Sequence, residues 1–227
     1  MYRTWVITRH TFFEAISQPI YALLLSVGAG ILLVFAFLPF FTLGEDTVMF
    51  KSVGLDVIML LVLLTTLFAT SRSIHEEIED RTMLTLMSKS VSRLEVLLGK
   101  YLGLIGSSLL AILLLGALLC LCTWYRVPTD YMINYRSIDD REINALNDIR
   151  QQHLLGLYPS LLLMWLQVSV LAAISVVIST RFSLVVNLPV VILLYIAGNL
   201  ARFIEDAVAE RSLLVRWAGR VIETLIP

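Results

Sequence analysis

Residues 72–100, from Arg72 to Lys100, read RSIHEEIEDRTMLTLMSKSVSRLEVLLGK. This stretch carries five of the 17 basic residues (Arg72, Arg81, Lys89, Arg93, Lys100) and five acids (Glu76, Glu77, Glu79, Asp80, Glu95). Apolar runs long enough to cross a bilayer lie on both sides of it. A connection that only reversed the chain needs two to eight residues. The length and polarity of this one point to a segment built for contact in the cytosol.

Working outward, the whole chain has the composition of a membrane protein. It has 227 residues, 58% hydrophobic and 15% charged, with mean hydropathy +0.85. Soluble domains carry roughly 25% charged residues. We read an all-α integral membrane protein, one domain over residues 1–227, with about five spans: 20–41, 53–70, 93–124, 154–179 and 184–200. A net charge of −1 gives no general attraction to nucleic acid. The first twenty residues are too polar for a signal peptide.

On the N-terminal side, residues 2–17 precede the first span. Tyr2, Trp5, Val6, Phe12, Phe13 and Ile16 share one helical face, and Arg3, Thr4, Thr8, His10, Thr11 and Glu14 the other. The pattern predicts an amphipathic helix at the membrane interface. In the first span Ala22, Ser26 and Gly30 recur every four residues, as on a helix-packing face. Asp56 is placed at the rim of the second span, where a carboxylate costs less than at mid-bilayer.

On the C-terminal side, Ser92-Arg-Leu-Glu95 matches a capping box that starts the third span. Gly99, Gly103, Ser107 and Ala111 then form a small-residue stripe for close helix packing. Residues 125–153 read as a polar outer segment, with a short helix over 139–150. Gln167, Asn187 and Asn199 are read as bonding neighbouring helices. Residues 202–227 read as a second interfacial amphipathic segment.

Five spans put the termini on opposite sides. With the N-terminus inside, inner segments hold eight Lys/Arg and outer ones nine. The early segments, which usually set orientation, give seven inside against one outside. The expected arrangement therefore has a cytosolic N-terminus and a cytosolic 72–100 segment.

Catalytic chemistry finds no foothold. There is no G-x-S-x-G, no P-loop and no pair of intramembrane aspartates. His75-Glu76-Glu77 lacks the H-E-x-x-H spacing. Cys120 and Cys122 have no His or acid to complete a metal set, and a buried Cys acts as a small apolar residue. We expect no catalytic, cofactor or metal site.

Glu77-Ile-Glu79-Asp-Arg81-Thr82, then Ser88-Lys-Ser-Val-Ser-Arg93, then Leu98-Gly-Lys100, resembles the ABC transporter type-2 permeases. Those associated with nitrous-oxide reductase maturation and gliding motility look most similar. The leader helix, the long outer segment and the Ser179-Thr-Arg-Phe-Ser183 turn also look similar, so the resemblance covers nearly the whole chain. Ser90 stands where the family usually has proline, and five spans stand where it usually has six. The resemblance implies a permease subunit in the cell (inner) membrane that hydrolyses no ATP itself. It would pair with a second permease subunit, and a separate ABC ATPase subunit would drive export. A coupling helix over 82–87 would dock in that ATPase through Thr82, Met83, Leu84, Leu86 and Met87. Glu76, Glu77, Glu79, Asp80, Arg81, Lys89 and Arg93 would flank it. The competing readings are a non-transporting membrane anchor or scaffold and, further off, an intramembrane enzyme.

Overall fold

The computed structural model describes residues 2–38, 46–77, 92–134 and 140–208. Its elements are α1 (Tyr2–Ser17), α2 (Pro19–Phe37), α3 (Asp46–Ser71), a π-helical turn (Arg72–Glu76), α4 (Arg93–Asn134), α5 (Asp140–Ser179) and α6 (Leu184–Val208). Among the described residues there is no strand. The fold is all-α, and among the described residues four helices are long and apolar enough to cross a membrane: Pro19–Phe37, Thr47–His75, Leu94–Val127 and Asn147–Ser179. The apolar part of α6, Leu184–Leu200, is shorter. Its 17 residues would span about 25 Å at 1.5 Å each, against a hydrocarbon core of about 30 Å.

The helix starts follow local chemistry. Pro19 sits in the first turn of α2, where a missing N–H costs nothing. The capping box of α4 forms as its sequence predicts. Ser92 N donates to Glu95 Oε2 at 2.9 Å, and Glu95 N donates to Ser92 Oγ at 3.3 Å. The 125–153 segment departs from its reading as a polar connection. Helix α4 continues to Asn134, and α5 begins at Asp140. Asp140 and Glu142 suit a helix N-terminus, and the helix formers after them carry the chain without a break into the apolar run.

Helix α3 is the most enclosed of the long helices. Its Phe50, Ile58, Val62 and Leu67 are fully buried, with Leu32 of α2, Leu115 and Leu119 of α4, Leu157 and Val168 of α5, and Val191 of α6. Its buried hydroxyls bond back to their own helix. Thr65 Oγ1 donates to the Leu61 carbonyl at 2.6 Å, Thr66 to Val62 at 2.7 Å and Thr70 to Thr66 at 2.7 Å. This satisfies polar groups that cannot reach water. The π-turn follows directly.

Helix α4 is the hub. It packs against α1, α2, α3 and α5. It also accepts side-chain bonds through its backbone: Tyr21 Oη donates to the Ser107 carbonyl at 2.9 Å and Trp165 Nε1 to that of Ile105 at 3.4 Å. A Cβ on Gly116 would stand 2.8 Å from Leu161 Cδ1, so this glycine lets α5 approach closely. The small-residue face expected on α2 points outward instead. Ala22, Ser26 and Gly30 are exposed, and the inward face is Tyr21, Gly28 and Leu32. A four-residue spacing of small residues is permissive for packing. The large residues Tyr21 and Leu32, with Gly28 between them, decide which side fills the groove between α3 and α4.

Candidate functional site

Chain direction brings the end of α1, the π-turn, the start of α4 and the α5–α6 turn to one end of the bundle. The feature that organises this end is a buried ion pair. Lys100 is 2% exposed, and its ammonium lies 2.6 Å from Glu77 Oε2. The same ammonium donates to the Ser73 carbonyl and, at 3.1 Å, to Ser73 Oγ. A cation near a helix C-terminus interacts favourably with its dipole and free carbonyls. Lys100 therefore fastens the first turns of α4 to the last turns of α3. The segment 78–91 leaves from one of these ends and returns to the other.

The stripe on α4 seats α1. A Cβ on Gly99 would lie 2.9 Å from Ile7 Cβ and 3.2 Å from the Thr4 carbonyl oxygen. One on Gly103 would lie 2.7 Å from the Thr8 carbonyl oxygen and 3.1 Å from the Phe12 nitrogen. The Thr4 and Thr8 oxygens and the Phe12 nitrogen are backbone, which cannot move aside cheaply. Ser107 and Ala111, further along the stripe, are buried, with Ser107 under Tyr21 of α2.

The apolar face of α1 is divided: Phe12 meets Gly106 of α4 and Ile16 packs against the core, but the rest of that face turns outward. Thr4, Ile7, Thr8 and Thr11 meet α4, whereas Trp5 (67% exposed), Val6 and Phe13 point away from the protein. In lipid there is no hydrophobic reason to bury the aromatic side, and small residues allow the tighter contact. Thr8 Oγ1 bonds the Thr4 carbonyl at 2.9 Å, so its hydroxyl is satisfied within the helix. Arg9 lies over the Phe13 ring at 5.7 Å on the outward side.

Glu14 brings α1 into the charged node. Burial pushes its carboxyl above the ordinary 4.5, and Glu77 pushes the same way. Lys100, His10 and Arg72 oppose them, with His10 Nδ1 3.8 Å from Glu14 Oε2. The node thus joins α1, the π-turn and α4 through charge.

Of the residues assigned to docking, Glu77 turns inward to Lys100. Glu76 closes the π-turn and Arg93 opens α4, but the described side chains do not include theirs. Glu79, Asp80, Arg81, Thr82, Met83, Leu84, Leu86, Met87 and Lys89 lie outside the described residues.

Elsewhere, Asn187 of α6 is fully buried and donates to Ser175 Oγ at 2.8 Å and Ser179 Oγ at 3.0 Å on α5. Gln167 and Asn199 are half-buried. At the opposite end of the bundle, Arg126 of α4 is buried, an arrangement the sequence reading missed by counting it in a loop. It donates to the Phe35 carbonyl at 2.7 Å in the last turn of α2 and stacks over Phe50 of α3 at 5.3 Å. Its position at the end of the apolar run was the available signal. Nearby, Lys51 Nζ donates to His153 Nδ1 at 2.8 Å, tying α3 to α5. Among the described residues no three His, Cys, Asp or Glu side chains gather as a metal set. Compared with family models, with curated proteins and with solved structures, the chain gives no match.

Proposed function

We propose that this chain is the membrane-spanning subunit of an ATP-driven exporter, of the kind its 77–100 motif resembles. The observation that supports this reading is the Glu77–Lys100–Ser73 clamp. It sits where the polar 78–91 segment meets the bundle, and it makes the ends of α3 and α4 one mechanical unit. A force on 78–91 is then delivered to α4, which touches α1, α2, α3 and α5. That is what a coupling element needs: a polar segment with an apolar centre (Met83, Leu84, Leu86, Met87), attached to a stiff base. In this reading a separate ATPase binds 82–87 on the cytosolic side of the cell membrane. The acids Glu79 and Asp80 favour the helix N-terminus there. A second permease subunit completes the pathway, and cargo moves outward.

The test is co-purification with the ATPase, together with ATP turnover that depends on the permease. Leu86→Asp places an unpaired charge in a desolvated groove at a cost of several kcal/mol, which is ruinous for docking of ordinary affinity. The variant is expected to insert and fold but to lose the ATPase. Retention of ATPase and activity by Leu86→Asp would return 78–91 to the status of a solvated connection. A wild-type chain that never recruits an ATPase would favour the anchor reading.

A further inference from the structure

We infer that the groove between α4 and α5 holds one acyl chain of a phospholipid, with the lipid phosphate on Arg150. The groove has a volume of about 670 Å³ and is lined by Ile112, Ala117, Cys120 and Trp124 of α4 and by Leu154 and Trp165 of α5, among others. It reaches from Leu109 to Trp124 along α4, about 22 Å at 1.5 Å per residue.

Its end is charged. Arg150 stands one turn before Leu154 on α5, and its guanidinium lies 4.7 Å from the centre of the Trp124 ring. One N–H reaches Asn147 Oδ1 at 3.4 Å, whereas Nε is shut off from solvent and meets no acceptor among the described residues. Asp148, two positions earlier, points about 200° away around the helix.

Arg150 is also at the right depth. The apolar helix Asn147–Ser179 has 33 residues, about 50 Å, so some 20 Å of it lies beyond the hydrocarbon core. Shared between the two ends, that excess puts its first turn at headgroup level. A planar cation with several donors over an aromatic ring, at the mouth of an apolar groove, matches a phosphate joined to a hydrocarbon chain. This site lies at the other end of the bundle from the Glu77–Lys100 clamp and does not depend on the transport reading.

Native mass spectrometry of the full chain, released from micelles containing equal palmitoyl-oleoyl phosphatidylglycerol and phosphatidylcholine, tests the site. Wild type is expected to keep lipid, with the anionic lipid in excess. Arg150→Gln should lower the excess of the anionic lipid, because the Arg150 guanidinium favours the anion. Ala117→Phe, at an exposed lining position, should fill the groove and abolish retention while helix content and unfolding midpoint stay at wild-type values. Equal lipid retention by wild type and Ala117→Phe would overturn the proposal. So would an unchanged headgroup ratio in Arg150→Gln. Cys120 supplies a third arm, in a Cys122→Ser background. Efficient oxidative joining of two chains through Cys120 would make the groove a contact between copies and would also overturn it.

Discussion

Glu77→Gln is expected to be the most damaging conservative change at the charged end of the bundle. The Lys100 side chain is 3% exposed and the Glu77 side chain 23%. Removing the carboxylate charge leaves Lys100 with the Ser73 carbonyl and hydroxyl, and with Glu14 as the acid that still acts on it. Breaking a buried pair from one side costs about 3–5 kcal/mol, and Glu14 should hold the loss to the lower end of that range. The reverse change, Lys100→Met, leaves Glu77, which has enough exposure to recover some water. Its cost should fall below that range. In Lys100→Met/Glu77→Gln no charge is stranded, so the double variant should be less damaged than the two single costs added together. The coupling should reach about 2–3 kcal/mol, as for residues in one charged network. Equilibrium unfolding of the purified protein in mild detergent, followed by far-UV circular dichroism, gives all four corners of the cycle. If both single variants unfold within about 0.5 kcal/mol of wild type, as exposed pairs do, the clamp is solvated. The ends of α3 and α4 are then not one mechanical unit.

Three further outcomes follow from the same geometry. Gly103→Leu should separate α1 from α4, since even a Cβ would stand 2.7 Å from the Thr8 carbonyl oxygen. A loss of about 1–3 kcal/mol is expected for overpacking, with faster proteolysis of residues 2–17, and wild-type stability would show that α1 does not sit there. Arg126→Gln should cost about 1.5–3 kcal/mol by removing a charged donor from the last carbonyls of α2. Arg126→Lys should not restore it, because an ammonium cannot both reach Phe35 and stack on Phe50; full rescue by lysine would contradict this. Glu14 gives a pH dependence. Its folded carboxyl keeps its proton above the ordinary 4.5, so the folded state binds more protons than the unfolded one. Stability should fall as pH rises from about 4.5 through the folded value and then level off. Glu14→Gln should flatten that slope and be the more stable protein at neutral pH, and a slope unchanged in Glu14→Gln would assign it to another group.

The membrane class, the all-helical fold, four of the spans and the start of α4 are legible in the residues themselves. Each depends on local quantities: the length of an apolar run, the spacing of small residues, or a serine three positions before a glutamate. The polar 78–91 segment and its apolar centre are visible in the same way, as an interruption in hydropathy. What pairs with what is a different kind of information. Lys100 reads as one more solvent-facing base until α3 is brought beside it, because its partners Ser73 and Glu77 are more than twenty positions away. Arg126 reads as a loop cation until the end of α2 is placed under it. The orientation of α1 shows the limit most clearly. Helical periodicity separates Thr4, Thr8 and Thr11 from Trp5, Val6 and Phe13, but it does not say which set faces the protein. In water the aromatic set would be buried. Beside lipid the hydrophobic effect no longer chooses, and contact distance does: the glycines of α4 accept the threonines and the Phe12 ring and leave Trp5 and Phe13 outside. The same reasoning separates Gly99 and Gly103, which meet α1 backbone, from Gly30, which meets nothing within 4 Å although its spacing is as regular.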